Sequence, residues 1–366
     1  METLPFLPDP TKPVFYHPET KKPVLLVSFS GGQTSGYLAK EIKSRYGNLY
    51  HIVFMFANTG CENNETLDFV HACDVAFNLN VVWVEAVINP EHGKGVTHRV
   101  TNYQDAFRSD QYQHPDHPFH AHIRKSGIPN SNKPQCSDRL KAFAIEDFKR
   151  THGYQGQPHA IGIRADESKR IMSKMLCTLI EKCGESPDRW RKTNAHEKRM
   201  EIIEKAILLS DKQKGQIETF SNKLRHYGLI YPLTDTFPVG KTEINAFWDK
   251  QAFRLDLEEH EGNCQTCWKK SDRKLSLLAL EHPERFDAFD YWEKTYQHVK
   301  PNNDGTPRVF FRKNRSAKQM LEQAKLFNPN HIRRLIGADT YDKSDGEDGC
   351  SESCESYNLN LFEDMV

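Results

Sequence analysis

Long apolar runs are missing from this chain of 366 residues. No window approaches the roughly 18 consecutive apolar residues that a membrane-spanning helix needs. The first 17 residues are rich in Pro and lack the basic-then-apolar order of a secretory signal. We therefore expect a cytoplasmic protein without a membrane partner.

Net charge is also missing, because 50 Lys and Arg balance 50 Asp and Glu. A neutral chain has no overall field that attracts nucleic acid, so such a partner would need a local basic patch. One stretch has this composition, although a solvated helix face is the more common interpretation of it. Its residues are Trp190, Arg191, Lys192 and Lys198.

Cysteine occurs in an odd number, nine. In a reducing compartment this favours metal ligation or burial over disulfide bonds. Hydrophobic residues make up 37% of the chain and charged residues 27%. This composition supports a globular core and excludes wholesale disorder.

Strands and helices alternate in the first 90 residues. Apolar runs at 24–29, 51–57 and 81–87 have strand character, and apolar residues at helical spacing occur at 34–46 and 64–79. This alternation predicts an α/β fold with a parallel twisted sheet and helices on both faces. Ligands of such sheets bind at the carboxyl ends of the strands.

Composition divides the rest of the chain. We expect a strand at 158–163, a helix after Ser137, and a long irregular loop at 100–135 that is rich in His, Asp and Pro. The loop histidines match no rigid metal template, which favours a polar loop. The predicted organisation is a surface arm at 1–20, an α/β domain at 21–235 with a helical excursion at about 171–228, a helical C-terminal part at 236–340, and an acidic mobile tail at 341–366.

A Ser- and Gly-rich segment lies between the first strand and the first helix. Its glycines let the backbone approach a bulky anion with N–H groups turned inward, and the helix adds its positive N-terminal end. It is not a Walker loop, because no Gly-Lys-Ser/Thr follows. A capped Gly-Gly turn is the alternative without a ligand. The predicted phosphate-binding residues are Ser28, Ser30, Gly31, Gly32, Gln33, Thr34 and Ser35.

Two later loops also follow predicted strands. The first is Asn58, Thr59 and Gly60, in which the amide of Asn58 has the groups to bind a ribose or a base edge. The second begins at Gly162, and its Arg164 and Arg170 have the forked guanidinium that suits sulfate, phosphate or pyrophosphate. Ordinary turn chemistry and a solvated helix start are the alternatives.

These segments resemble the motifs of the PP-loop ATP pyrophosphatases, a group that includes phosphoadenosine phosphosulfate (PAPS) reductases and tRNA thiolases. Residues 30–35 are similar to the Ser-Gly-Gly-x-x-Ser loop, with Thr34 where an acidic residue is usual. The Asn58 loop is similar to the Asp-Thr-Gly element, with Asn replacing Asp, and residues 162–170 are similar to Gly-x-Arg-x-x-Glu-Ser…Arg. The resemblance covers about residues 24–170 and implies an adenine nucleotide alpha hydrolase-like fold.

The cysteines extend this resemblance. Cys264 and Cys267 form a C-x-x-C pair, which places two thiolates on one metal or cluster. Cys136 lies in a segment that resembles the first cluster-ligand segment of the reductases, where a Cys-Cys pair is usual. Three cysteines imply a [4Fe–4S] cluster with one open iron, as in tRNA thiolases, with Cys61 as a candidate fourth ligand. Zn²⁺ held by the three cysteines and a His is one alternative, and a small knuckle or free thiols is the other.

The acidic tail contains Cys350 and Cys354. PAPS reductases carry their catalytic Cys in a C-terminal Glu-Cys-Gly-Leu-His motif, which the sequence around Cys350 does not match. This difference argues against a straightforward PAPS reductase.

The resemblance implies adenine-nucleotide-dependent sulfur chemistry. ATP with Mg²⁺, or PAPS as substrate, would bind the first loop and Gly162, and Arg164, Arg170 and Ser35 would be catalytic. In thiolation an acceptor oxygen attacks the α-phosphate, pyrophosphate leaves, and a sulfur donor completes the transfer, with nucleic acid as a candidate acceptor. Catalysis would rest on positioning and electrostatics. The alternatives are a PAPS or APS reductase that releases sulfite and a non-catalytic nucleotide-binding module with structural Zn. A homodimer is also expected.

Overall fold

A six-stranded sheet forms the centre of the computed structural model, which describes residues 4–91, 93–258, 260–337 and Tyr357. The strands are β1 (Val24–Ser28), β2 (His51–Asn58), β3 (Val82–Ile88), β4 (Val96–Thr101), β5 (His159–Ala160) and β6 (Leu229–Ile230). Their order is β4-β3-β2-β1-β5-β6. All neighbouring pairs are parallel except β3 and β4, which are antiparallel.

Helices connect and cover the strands. In the described ranges, none of them has the length and apolar content that a bilayer crossing requires. They are α1 (Gln33–Tyr46), α2 (Asn64–Phe77), α3 (Pro118–Ser126), α4 (Phe143–Thr151), α5 (Lys174–Glu181), α6 (Pro187–Lys192), α7 (His196–Glu204), α8 (Asp211–Tyr227), α9 (Pro232–Asp235), α10 (Lys241–Trp248), α11 (Asp272–Glu281), α12 (Asp287–Tyr296), α13 (Ala317–Ala324) and α14 (Pro329–Gly337).

Each face of the sheet has its own hydrophobic core. Leu25 and Val27 pack in one core with α1, α2 and α10, whereas Val24 and Leu26 pack in the other with α3, α4 and α11–α13. This division follows from the two-residue period of a strand. The predicted α/β fold with a mostly parallel sheet covered on both faces is confirmed, with β4 as an antiparallel edge strand.

The prediction of an irregular loop at 100–135 is wrong for part of that stretch. β4 extends to Thr101, and α3 occupies Pro118–Ser126. α3 begins at a proline, whose fixed φ suits the first helical position, and its Phe119 and Ile123 are buried one turn apart. The high His content of the stretch concealed this helix, because His120 and His122 are buried along with the apolar residues.

Two other element predictions need smaller corrections. The strand predicted at 158–163 contains only two residues in the ladder, His159 and Ala160. The chain leaves the sheet at Ile163, whose N–H donates to the carbonyl of Ile161 at 3.0 Å. The helix predicted after Ser137 begins with a π-helical turn at Asp138–Ala142 and continues as α4.

Both terminal segments contain a residue that is anchored in the domain. Phe6 of the predicted surface arm is buried, and its carbonyl accepts a hydrogen bond of 2.7 Å from Tyr50. The predicted mobile tail lies outside the described residues except for Tyr357. This residue is buried and its hydroxyl donates to Glu146, so the expectation of a detached tail does not hold at this position.

Buried neutral histidines give the fold an acid sensitivity. Burial lowers the pKa of His117 to about 4 and that of His122 to about 3. It also holds the pKa of His159 well below its usual value. The unfolded chain takes up these protons near pH 6.5 and the folded chain does not. Stability should therefore fall as the pH drops below about 6.5, by up to roughly 1.4 kcal/mol per pH unit for each His.

His122→Leu isolates one of these contributions. Neither ring nitrogen of His122 has a hydrogen-bond partner among the described residues, so a leucine of similar volume loses no polar contact. Chemical denaturation at pH 5 and pH 7 should show a smaller loss of unfolding free energy in the variant than in the wild type. Equal losses would show that His122 is not the neutral, buried group described above.

Candidate functional site

The glycine loop between β1 and α1 is closely packed. Gly31 has φ +86°, and a Cβ atom there would lie 2.5 Å from Cγ2 of Thr66 on α2. The Ser35 hydroxyl holds the loop together by donating to the Gly32 carbonyl at 2.9 Å. The same oxygen accepts the backbone N–H of Ser30 at 3.1 Å and its hydroxyl at 3.0 Å. The predicted catalytic Ser35 therefore shapes the loop from inside it.

The N-terminus of α1 faces this loop. Gly32 is its N-cap residue, and no described side chain caps the helix. The first amides of an α-helix have no partner within the helix, and the helix end carries a partial positive charge. The first turn of α1 thus leaves its backbone N–H groups uncapped next to the glycine loop.

Ser28 does not contribute to this loop. Its hydroxyl lies 2.9 Å from Nε2 of His159 on the neighbouring strand β5, and both residues are buried. Ser28 is the last residue of β1 and its hydroxyl is already engaged, so the phosphate-binding role predicted for it stays a prediction.

The loop after β2 is held by internal hydrogen bonds. The Asn58 amide donates to Glu85 at 2.6 Å and to the Phe107 carbonyl at 2.8 Å, and Asn58 Oδ1 accepts the N–H of Gly60 at 3.2 Å. The nucleotide contact predicted for Asn58 would compete with these bonds. Thr59 is bound in turn by the carboxylate of Glu62 through its N–H at 2.9 Å and its hydroxyl at 2.8 Å.

The loop after β5 contacts the glycine loop directly. A Cβ atom on Gly162 would lie 3.2 Å from Cα of Ser35, so glycine permits this approach. Arg164 is buried, and its guanidinium donates to the Thr34 hydroxyl at 3.2 Å. The structure thus brings together Thr34, Ser35, Gly162 and Arg164 as predicted.

Acidic neighbours neutralise both predicted arginines. Arg164 pairs with Asp166 at 3.0 Å and with Glu167 at 2.9 Å, and Arg170 pairs with Glu167 at 3.0 Å. An anion that binds Arg164 must therefore share it with two carboxylates. Carboxylate oxygens are also ligands that Mg²⁺ prefers, so these residues fit the expected Mg²⁺ near the phosphates.

Residues next to the C-x-x-C pair join it to the glycine loop. The side chain of Asn263 donates to the Ser30 carbonyl at 2.9 Å. Glu62 forms an isolated β-bridge with Cys264, and the N–H of Gln265 donates to the Cys61 carbonyl at 2.9 Å. The sequence distance of about 200 residues hid these contacts, and Asn263 and Glu62 were not predicted as site residues.

Four cysteines line one cavity of about 40 Å³. Three of them are the predicted ligands, and the fourth is Cys61, the predicted candidate. Burial raises the pKa of the Cys61 thiol well above its usual value, and the charge of Glu62 and the other three sulfurs adds to this effect. The cavity residues are Thr59, Cys61, Phe119, Cys136, Ser137, Lys141, Cys264, Thr266, Cys267, Trp268, Lys269 and Phe289.

The ligand chemistry of this cavity fits both proposed cofactors. Four thiols are the usual set for a [4Fe–4S] cluster and for a structural Zn²⁺. In the described ranges, no three His, Cys, Asp or Glu side chains already stand at metal-binding separations. The thiols would therefore have to rotate towards a common centre. Buried Lys141, which pairs with Glu62 at 3.3 Å, places a positive charge beside them.

Two histidines of the stretch that was predicted as a loop make hydrogen bonds within the fold. His117 lies 3.1 Å from the Gly60 carbonyl through Nε2 and caps α3 by accepting the N–H of His120. His120 contacts Tyr296 at 2.8 Å. These contacts anchor the two histidines within the fold.

Comparison with known proteins adds one relative. The chain is 29% identical over 336 residues to an uncharacterized nin region protein, ORF290, of Escherichia phage lambda. The alignment covers 91% of this chain and 94% of that protein. No protein-family model matches the chain, and no solved structure matches it.

Gly31→Ala tests how closely the glycine loop packs on α2. Gly184→Ala is the matched control, because Gly184 has a similar φ of +79° but no atom within 4 Å of an added Cβ. Both changes should cost about 1 kcal/mol in backbone strain, and crowding should add roughly 1–3 kcal/mol at Gly31 alone. Chemical denaturation measures both free energies of unfolding. Equal losses would contradict the close packing described here.

Proposed function

We propose that the chain binds an adenine nucleotide at the glycine loop and uses it for sulfur chemistry at the adjacent cysteine cavity. The observation that carries this proposal is the pair of contacts that join the two sites, from Asn263 to Ser30 and from Glu62 to Cys264. They bring the glycine loop close to the four thiols, as the proposal requires. The resemblance to PP-loop proteins, in which nucleotide activation and sulfur handling are combined, supports the same interpretation.

Phosphate binding is supported by the groups that surround the loop. The α1 amides and the Thr34 hydroxyl are donors, and Arg164 lies behind Thr34. Together these groups suit the phosphates of ATP, with Mg²⁺ at Asp166 and Glu167. The buried Oδ1 of Asn263 has no hydrogen-bond partner among the described residues. As an acceptor it calls for a donor, such as a ligand hydroxyl or a water molecule, and not for a phosphate oxygen.

The favoured reaction is adenylation followed by sulfur transfer. An acceptor oxygen attacks the α-phosphorus of ATP, the bond to the β-phosphate oxygen breaks, and pyrophosphate leaves. Sulfide from a donor then replaces the adenylate, and AMP leaves with the acceptor oxygen. Arg164 and the α1 amides stabilise the negative charge that develops on the phosphates. A [4Fe–4S] cluster held by Cys136, Cys264 and Cys267 would supply sulfur bound at its open iron, and the acceptor we propose is a nucleic acid.

Cys61 favours a second candidate function. A closed set of four thiols without an open position is typical of structural Zn²⁺. In that case the chain would be a nucleotide-binding module whose metal holds the Cys264 segment against the Cys61 segment. Turnover distinguishes the two candidates. The adenylating enzyme would release pyrophosphate from ATP, and the nucleotide-binding module would not. Sulfite release from PAPS would instead identify a reductase.

Metal analysis after anaerobic purification tests the cluster. We expect iron and acid-labile sulfide in the wild type, their loss in Cys264→Ser, and their retention in Cys61→Ser. Cys177→Ser is the control, because Cys177 is half-buried on α5 and does not line the cavity. Zinc without iron would contradict the cluster and favour the second candidate. Iron in the Cys61→Ser variant would show that three cysteines suffice.

Thr34→Val tests the nucleotide site. The change keeps the volume of the side chain and removes the hydroxyl that contacts Arg164. Loss of one hydrogen bond should weaken binding of Mg-ATP about 3- to 10-fold, as measured by titration calorimetry. Thr178→Val is the control, because Thr178 is exposed on α5 and its hydroxyl bonds only locally, to the Lys174 carbonyl. If neither ATP nor PAPS binds the wild type, the nucleotide assignment is wrong.

A further inference from the structure

A polar cavity, separate from the cysteine cavity, lies at the far edge of the sheet beside β6. Its volume is about 330 Å³, and its walls come from α6, α7, α8, the start of β6 and the N-terminal arm. The charged lining residues are Asp9, Arg191, Lys192, Arg199, Arg225 and Asp235. Four cations and two carboxylates line this cavity, which leaves an excess of two positive charges among its lining residues.

The carboxylates are already engaged. Asp235 accepts two bonds from Arg191, at 2.5 and 2.7 Å, and also lies 3.4 Å from Lys192. Asp9 accepts the N–H of His196 at 2.9 Å and is bound by Thr11. The other two arginines of the lining, Arg199 and Arg225, form no ion pair with either carboxylate.

Arg199 is a buried cation whose hydrogen bonds go only to neutral groups. Its guanidinium donates to the Ser221 hydroxyl at 2.8 Å, to the Thr193 carbonyl at 2.6 Å and to the Ser221 carbonyl at 3.3 Å. Within the described part of the chain it forms no ion pair, and its residue is 5% exposed. Burying a charge without an ion-pair partner is costly. Desolvation lowers the pKa of Arg199 to about 10, because the opposing charge of Asp9 does not compensate for burial and for nearby Arg225.

Arg225 adds a second guanidinium of the same kind. It is half-buried, donates to Asn222 at 3.1 Å, and forms no ion pair with any residue of the described ranges. Two neighbouring guanidiniums without a carboxylate partner are the arrangement that binds a tetrahedral dianion through forked, charge-assisted bonds.

We propose that this cavity binds a small molecule that carries a phosphate dianion. The excess charge matches a dianion, and the volume is at the lower end of the range of about 300–1,000 Å³ for small-molecule sites. Apolar walls formed by Phe6, Leu224 and Leu229 would cover the rest of the molecule. This proposal does not depend on the glycine loop. Part of the basic stretch around Arg191 lines the cavity and would contact the phosphate.

Titration calorimetry with AMP tests the proposal, with adenosine as the probe that lacks the phosphate. Arg225→Gln should weaken AMP binding at this cavity at least tenfold, because it removes a charge-assisted contact without disturbing a buried one. Arg189→Gln is the matched control, since Arg189 is exposed on α6 and does not line the cavity. It should bind AMP like the wild type.

The outcomes separate this site from the glycine loop. The AMP binding that depends on Arg225 should persist in Thr34→Val, and inorganic phosphate should compete with it. AMP binding that responds to Thr34→Val and not to Arg225→Gln would overturn the proposal. So would equal binding of adenosine and AMP. An unchanged thermal midpoint of the Arg225→Gln variant confirms that the loss is not unfolding.

Discussion

Close approach of the backbone at two glycines, Gly31 and Gly162, is the constraint on which the candidate site depends. Gly31 lies against Thr66 of α2, and Gly162 lies against Cα of Ser35. The loops after β1 and β5 therefore meet where side chains would keep them apart. This separation lets Arg164 reach the Thr34 hydroxyl. Because the N-cap residue of α1 is Gly32, no N-cap side chain covers the first amides of the helix. The carboxyl ends of parallel strands lie at one edge of the sheet, and these contacts join the loops that follow them into one candidate site.

Charge in the site is balanced before any ligand binds. Arg164 is shared by Asp166 and Glu167, Lys141 pairs with Glu62, and Glu62 also binds the Thr59 loop. A phosphate that reaches Arg164 must therefore exchange with a carboxylate rather than meet an unpaired cation. Recruitment of Mg²⁺ by the displaced carboxylate would complete that exchange. The cavity beside β6 differs, because the hydrogen bonds of its buried Arg199 go only to neutral groups.

The sequence predicted what is encoded locally. β1 to β3 are buried on both faces, so their apolar runs are continuous and could be recognised in the sequence. The glycine loop could be recognised because it directly follows the first of these runs. α3 was missed because its polar residues are buried with its apolar ones. The engagement of Asn58 with Glu85 and Phe107 was beyond prediction, because it depends on strands and loops that meet only in the fold. The same holds for Asn263, which lies more than 200 positions from the loop it contacts.

The position of Cys61 bears on how the cysteine cavity would take up a cofactor. The site predicted from three cysteines leaves one coordination position open, and the structure places a fourth thiol in the same cavity. Burial and the neighbouring Glu62 make Cys61 costly to deprotonate, as the direction of its pKa shows. Since a thiol must lose its proton to bind a metal, Cys61 would become a ligand only where a bound cation offsets its surroundings. A cofactor on the other three cysteines would keep one coordination position open, and ligation by Cys61 would close it.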